Sequence, residues 1–195
     1  MTQRPAGSTP NGGRSTADRR RPRVTREEGM ARLVKATIAL ATERPVGELS
    51  AREIARRAEL NHANVHVWFG SKAGLLDAAC QRLGDDLRVA FTAERLTSTA
   101  LQDPRVELLF QLLARLQNEP GGIELAGVRR RPVVEFVEHQ LRANFGISRE
   151  EAADLAELAV MGAAGAVLVG RVLGVDLDRL TATWWSFAGR QSRPL

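Results

Sequence analysis

The chain has 195 residues, which allows one or two domains. Hydrophobic residues make up 44% of it, aromatic residues only 5%, and tyrosine is absent, so we expect a core of leucine, valine, alanine and isoleucine. This composition favours packed helices over β-sheets, which use more aromatic and β-branched residues. The single cysteine, Cys80, excludes an intrachain disulfide, and its place in an apolar helical pattern predicts a small core residue.

The net charge of +5 is unevenly distributed along the chain. Residues 1–80 carry 14 Lys and Arg against 8 Asp and Glu, whereas residues 81–195 carry 14 against 15. The basic excess in the first part indicates either a polyanionic partner or a solvated basic tail. The first 23 residues lack the apolar segment of a secretory signal, and the most apolar stretch, Leu158–Gly170, is shorter than the roughly 20 residues of a membrane span. We therefore expect a soluble, cytoplasmic protein.

Residues 1–23 are predicted to form a disordered basic arm, because they are mainly Pro, Gly, Ser, Thr and Arg. Five of their arginines suit contacts with DNA phosphates or with a minor groove: Arg14, Arg19, Arg20, Arg21 and Arg23. A solubilising tail without a partner has the same composition, and both interpretations stay open.

Four predicted helices follow the arm. Each begins after a side chain that can cap a helix N-terminus, namely Thr25, Ser50, Asn61 and Ser71. The first helix ends before Pro45, and two short helices at about 51–58 and 62–69 are joined by the turn 59–61. The apolar period of the fourth helix predicts a buried side formed by Leu75, Leu76, Ala79, Cys80 and Leu83.

The rest of the chain is also predicted to be helical. Helices are expected from Asp103-Pro104 to about residue 119, over residues 132–145, from Ser148 to about residue 173, and from Asp176 to the region of Phe187. The three arginines 129–131, which precede a proline, are predicted to form a charge cluster in a loop. No segment alternates long enough to form a sheet, so the predicted fold class is all-α.

Residues 49–69 combine a short capped helix, a three-residue turn and a second short helix, which is the pattern of a helix-turn-helix. Ile54, Ala55, Leu60 and Val65 are predicted to hold the two helices together. The second helix of such a motif enters the major groove, about 12 Å wide, and places polar side chains against base edges. The side chains available here are Asn61, His62, Ala63, Asn64 and His66.

These residues resemble the TetR family of bacterial regulators. The family pattern T-x-x-x-I-A-x-x-A-G-V-S-x-G-T-L-Y-x-Y-F-x-S-K-x-x-L is matched by Ile54, Ala55, Ala58, Phe69, Ser71, Lys72 and Leu75, and Trp68 replaces one aromatic residue by another. The strong resemblance covers about residues 26–85, and the remainder matches in its length and helical character.

The sequence departs from the family pattern at several positions. Glu59 replaces the glycine of the turn, so a positive φ is expected there at a cost on the order of 1 kcal/mol. Ala63-Asn64 replaces Gly-Thr, and His66 replaces a tyrosine that contacts phosphate in the family. Arg44-Pro45 stands where a glycine is expected after the first helix.

The resemblance implies roles in DNA binding for individual residues. Lys72 is expected to contact phosphate, aided by the N-terminus of its helix, and Arg52 and His66 are also expected at phosphates. Ser50 caps its helix and is expected near a phosphate, whereas Trp68 packs over the DNA backbone or against the fourth helix.

The base contacts are implied in the same way. Asn61 begins the recognition helix, and His62, Ala63 and Asn64 are expected to face bases, with Asn64 suited to adenine. His62 and His66 have the spacing of a metal pair, but no neighbouring Cys or acid completes a metal site. We therefore expect neither a metal nor a cofactor. With one cysteine and three histidines, none in a known catalytic arrangement, we do not expect an enzyme.

The resemblance also implies a domain organisation. The arm 1–23 precedes a helix-turn-helix DNA-binding domain at 24–86, and residues 87–195 form a helical domain that binds an effector and dimerises. The last two helices are expected to form the homodimer, with Trp184 and Trp185 as interface or internal residues. An unidentified small molecule would lie among the helices of residues 101–145. The polar candidates there are Arg129, Arg130, Arg131, Glu135 and His139.

The predicted function is therefore that of a dimeric repressor, which binds double-stranded DNA at a near-palindromic operator and is released by a small molecule, without a membrane partner. A non-specific architectural protein that binds nucleic acid is the alternative, because it would show the same charge asymmetry.

Overall fold

The computed structural model describes residues 24–91, 102–174 and 176–191, and within these ranges it contains α-helices and no β-strand. Its α-helices are α1 (Arg26–Glu43), α2 (Ala51–Arg57), α3 (Ala63–Phe69), α4 (Lys72–Phe91), α5 (Pro104–Leu116), α6 (Gly122–Phe145), α7 (Arg149–Leu173) and α8 (Leu177–Gln191), and a short 3-10 helix, Val46–Glu48, lies between α1 and α2. The predicted all-α class is confirmed. The predicted basic arm 1–23 lies outside the described residues.

The helices begin where the capping side chains predicted them to begin. A side-chain oxygen accepts a hydrogen bond from a backbone N–H two or three residues later at Thr25, Ser50, Ser71, Asp103, Ser148 and Asp176. Each bond satisfies one of the N–H groups that the first turn of a helix leaves without a partner. The third helix differs slightly, since it begins at Ala63, one residue later than predicted.

Helices α1 and α3 pack against α4, and α2 packs against α1 and α3, around a core whose central side chains are inaccessible to solvent. Leu33, Ile54, Val65 and Leu75 are each 0% exposed. The predicted buried side of α4 is confirmed, including Cys80 at 2% exposure. This core fixes the angle at which α2 and α3 leave the rest of the molecule.

Helix α4 joins the two parts of the fold. It packs against α1 and α3 on one side, and against α5 and α6 on the other. It runs without interruption through residue 86, where the boundary between two domains was predicted. A displacement of α5 or α6 therefore acts directly on the helix that carries α1 and α3.

The prediction for α6 was wrong at its N-terminal end. The helix begins at Gly122 instead of residue 132, and it includes both Pro132 and the arginines that were predicted to lie in a loop. Proline removes one helical hydrogen bond and usually ends or kinks a helix. Here Arg129 is bound to Asp77 of α4 and Arg130 to Glu157 of α7, so contacts with two neighbouring helices hold this turn in place.

Helix α7 contains a described segment, Arg149–Val169, that is long and apolar enough to cross a membrane by length and composition alone. This segment is longer than the apolar stretch considered from the sequence. One side of it belongs to the core through buried Ala152, Ala156 and Val160. The opposite side is exposed at Leu158 and Met161.

Candidate nucleic-acid interface

The turn between α2 and α3 has the conformation that the sequence predicted. Glu59 has a φ of 56°, which is the left-handed region that usually requires glycine. The Leu60 N–H donates to the Ala55 carbonyl at 2.9 Å, and this bond closes the turn after α2. This hydrogen bond and the burial of apolar side chains between the two helices offset the conformational free energy that the positive φ of Glu59 costs.

Helix α3 exposes the predicted polar residues while Val65 anchors it in the core. Asn61, His62, Ala63 and His66 are exposed, and Asn64 is half-buried. Asn61 is partly engaged, because its Oδ1 accepts a hydrogen bond from the Ala63 N–H at 2.9 Å. The structure therefore brings Ala63, Asn64 and His66 onto α3 and places Asn61 and His62 directly before it. The Asn61 side-chain NH2 remains available to an external partner.

Two of the residues predicted to bind phosphate, Ser50 and Arg52, lie at the start of α2. Ser50 Oγ accepts from the Glu53 N–H at 3.3 Å and remains exposed, and Arg52 is exposed. Arg56 is also an exposed guanidinium, with 82% of its side chain accessible, and the sequence analysis did not single it out. Arg57 is tied back to Glu43 of α1 at 2.6 Å. The exposed charge on α2 is therefore positive at Arg52 and Arg56.

Lys72 has a partner that the sequence did not indicate. Its Nζ lies 2.9 Å from Oε1 of Glu119, which follows α5, and its side chain is only 20% exposed. The same carboxylate is 2.7 Å from Arg115 Nη2. The contact of Lys72 with phosphate stays a prediction, and it requires the lysine to exchange Glu119 for DNA. Glu119 is 47 residues away in the chain, so no local pattern could reveal the pair.

Trp68 packs inside the N-terminal part of the molecule. It is half-buried, and its ring lies so close to Gly29 of α1 that a Cβ on this glycine would be 2.4 Å from Cη2 of Trp68. The sequence analysis placed this ring over the DNA backbone or against the fourth helix, and it did not predict the contact with α1. The tryptophan therefore orients α3 against α1.

Val67 is a candidate that sequence reasoning missed. It is 71% exposed, whereas Val65 on the same helix is fully buried. The signal was available, because two positions along a helix correspond to about 200°, so a residue two places from a core residue faces away from the core. An exposed valine on this helix suits an apolar contact such as the methyl group of thymine.

A cavity of about 330 Å³ lies in the C-terminal part, between α4, α5, α6, α7 and α8. The prediction placed a pocket among residues 101–145, and α5 and α6 do contribute, but so do the three other helices. Arg129 alone of the predicted polar candidates lines it. Arg130, Arg131, Glu135 and His139 instead line a separate polar depression on α6.

Comparison with known proteins identifies the N-terminal part. The sequence model described as "Bacterial regulatory proteins, tetR family" matches residues 33–79, which run from α1 into α4. An HTH-type transcriptional regulator of Mycobacterium bovis is 37% identical over 87 residues, which cover 45% of this chain and 41% of the relative. An HTH-type transcriptional repressor of Mycobacterium tuberculosis matches to the same extent.

The aligned segment spans less than half of the length of these curated relatives. The family model covers the part of the chain that contains α2 and α3. The structure shows the same part as a capped helix, a closed turn and a second helix with exposed polar side chains. Residues 33–79 therefore form an N-terminal part of the kind found in the tetR family of bacterial regulatory proteins.

Proposed function

We propose that the chain is a sequence-specific, DNA-binding transcriptional regulator, and that it acts in the cytoplasm as a repressor. The observation that carries this proposal is the exposure of Asn61 and His62 directly before α3 and of His66 on it, while Val65 fixes the other side of this helix in the core. Polar side chains on a rigid short helix suit contacts with base edges in a major groove. A relative named as a transcriptional repressor supports the direction of regulation.

Selection of bound fragments from a genomic library tests sequence specificity. The purified full chain is incubated with the library at physiological salt, and bound DNA is sequenced. A regulator enriches one short inverted repeat, whereas an architectural protein recovers all fragments alike because it binds only phosphates. Uniform recovery would contradict the proposal and support the alternative function.

We also propose that the regulator is a homodimer formed through α7 and α8. Several large apolar side chains on these two helices are exposed in the single chain, namely Leu158, Met161, Leu168, Val169, Leu180 and Phe187. Exposed apolar residues clustered on neighbouring helices are typical of an interface, and a two-fold dimer would present two recognition helices to an inverted repeat.

The dimer is tested by its mass in solution. Met161 is 63% exposed on α7, and Met161→Glu introduces a charge that burial between two copies would penalise. We expect this variant to shift to the monomer in sedimentation velocity at micromolar concentration. Val128→Glu is the matched control, because Val128 is 60% exposed on α6, outside the proposed interface. An unchanged mass for Met161→Glu, or an equal shift for both variants, would contradict the proposed interface.

The regulator is proposed to be released from DNA by a small molecule in the cavity beside α4. This position supports the proposal, because α4 also packs against α1 and α3. A molecule that binds one arrangement of α4 better than another shifts the population of DNA-competent proteins by its difference in affinity. Titration of candidate compounds into a labelled operator complex measures this shift directly.

A further inference from the structure

We propose that the cavity between α4 and α8 takes an uncharged, mainly apolar molecule that carries one hydrogen-bond acceptor, and that Arg129 binds this acceptor. The inference deepens the proposed function, since it names the chemical class of the effector. It depends on three features of the cavity: its apolar walls, the balance of charges at its edge, and the free side of one guanidinium.

The walls of the cavity are mainly apolar. Five helices contribute large apolar side chains to it, among them Leu109, Phe110, Val133, Phe136, Leu158 and Trp184. The volume of about 330 Å³ lies within the range of about 300–1,000 Å³ that is usual for small-molecule sites. These apolar walls favour the transfer of an apolar molecule from water into the cavity.

The charged groups of the wall compensate one another. Arg129 Nε and Nη2 donate to the two carboxylate oxygens of Asp77 at 2.6 and 2.8 Å. Arg88 Nη2 donates to Asp85 at 2.7 Å. A charged ligand would therefore find no unpaired charge of opposite sign among these residues, and it would lose its hydration without compensation.

Cys80 is the remaining titratable group of the wall, and its thiol is uncharged. Burial, reinforced by the negative charge of Asp77, raises the pKa of the Cys80 thiol to about 12. The thiol consequently stays protonated at neutral pH and acts as a small apolar surface. The cavity thus offers neither a thiolate nor an unpaired carboxylate to a cation.

One side of the Arg129 guanidinium is left for a ligand. Nε and Nη2 bind Asp77, whereas Nη1 has no hydrogen bond within the described part of the chain. Arginine has five N–H donors, so a carbonyl, ether or hydroxyl oxygen can accept from the side that Asp77 does not occupy. Hydrogen bonding to Asp77 also raises the pKa of Arg129, which keeps these donors charged and oriented.

A carboxylate on the free side of Arg129 would bring a second negative charge to a guanidinium that Asp77 already neutralises. Asp77 is only 9% exposed, so water screens the repulsion between the two carboxylates weakly. The ligand carboxylate would also lose its hydration without an unpaired cation to compensate it. An acceptor without charge avoids both costs, because it uses the free donors and leaves the pair intact.

Three probes with the same alkyl chain test the charge preference of the purified full chain. 1-Decanol, decanoate and decyltrimethylammonium each displace N-phenyl-1-naphthylamine, whose fluorescence reports an apolar site. We expect 1-decanol to bind more tightly than either ion by about tenfold or more. Equal or tighter binding of decanoate or of the cation overturns the proposal, and so does the failure of all three to displace the dye.

Two glycine variants establish that the probe occupies this cavity. Gly84 lines the cavity, and a Cβ there would meet nothing within 4 Å, so Gly84→Phe fills the space without a backbone clash. Gly127 has the same freedom but lies outside this cavity. We expect Gly84→Phe to abolish displacement by 1-decanol and Gly127→Phe to leave it unchanged. Equal behaviour of the two variants overturns the assignment of the site.

Removal of one charge changes the preference in a predictable direction. Asp77→Asn keeps the shape of the side chain and leaves the positive charge of Arg129 without a counter-charge, so decanoate should gain on 1-decanol by about tenfold or more. An unchanged ratio in a variant with wild-type circular dichroism overturns the role of the pair. Because these measurements use no DNA, failure of the selection from a genomic library would count against the proposed function and not against the ligand class.

Discussion

The two ends of the described structure bury their apolar residues to very different extents. In α1, α2 and α3, the side chains that define the helical pattern are inside the chain's own core, and Leu33, Ile54 and Val65 are each 0% exposed. In α7 and α8, helices of similar regularity leave large apolar side chains in contact with solvent, such as Met161 at 63% and Phe187 at 38%.

This difference shows which part of the molecule is complete on its own. The N-terminal helices bury most of their apolar side chains within one chain, and apart from Val67 the large side chains that they expose are polar, as is expected of a surface that meets DNA. The C-terminal helices expose apolar surface both to solvent and to a cavity, which a second copy and a small molecule would cover. In the proposed function, binding to DNA thus depends on the fold of one chain, and its regulation depends on a second copy and a small molecule.

The largest effect that separates the two regions concerns stability. Ile54→Ala removes a fully buried side chain between α2 and the rest of the core, and we expect it to lower the free energy of unfolding by about 2–5 kcal/mol. Met161→Ala removes an exposed side chain and should change the stability of the monomer by less than about 0.5 kcal/mol. Urea unfolding at a concentration that favours the monomer measures both. Similar losses for the two variants would contradict the comparison.

Much of the N-terminal region could be predicted from the sequence because its signals are local. The caps at Thr25 and Ser50 fixed the starts of two helices, and an apolar period of 3.6 residues identified the buried side of α4, Cys80 included. The positive φ of Glu59 was implied by the resemblance instead, because Glu59 stands at the glycine of the family's turn. Signals that span three or four residues are read without knowledge of the tertiary structure.

The features that sequence reasoning missed depend on contacts between distant segments. The start of α6 was misplaced because Pro132 is a local signal for a helix end, and ion pairs of Arg129 and Arg130 with other helices outweigh it. The pair between Lys72 and Glu119 joins the start of α4 to the end of α5. Neither has a local sequence pattern, since both arise from contacts between separate helices: α4 with α5 and α6, and α6 with α7.

The next effect concerns the polar surface of the N-terminal region. Asn64→Ala removes an amide suited to adenine, and His62→Ala removes an exposed ring at the start of α3. Each should relax base preference at one position of each half-site, at a cost of about 1–3 kcal/mol for the preferred sequence. Arg56→Ala, an exposed change on α2, is the control, because the loss of a phosphate contact lowers the affinity for all DNA sequences alike. Uniform weakening by Asn64→Ala would contradict a base contact.

The smallest effect concerns the connection between the two regions, where Glu119 holds Lys72 at 2.9 Å. If the lysine must leave this carboxylate to reach a phosphate, Glu119→Gln should strengthen DNA binding by roughly 0.5–1 kcal/mol for all sequences. Glu124→Gln makes the same change of net charge at an exposed position of α6, and it should have little effect.

The double variant separates this route from general electrostatics. Lys72→Ala alone should weaken binding to all sequences and lower the slope of log affinity against log salt by about one. In the Lys72→Ala background, Glu119→Gln should then have no effect, because the competition it relieves is gone. Fluorescence anisotropy over a series of salt concentrations measures both quantities. Weaker binding by Glu119→Gln alone would instead mean that the carboxylate positions Lys72 in the complex, and that the C-terminal region supports the DNA contact rather than competing with it.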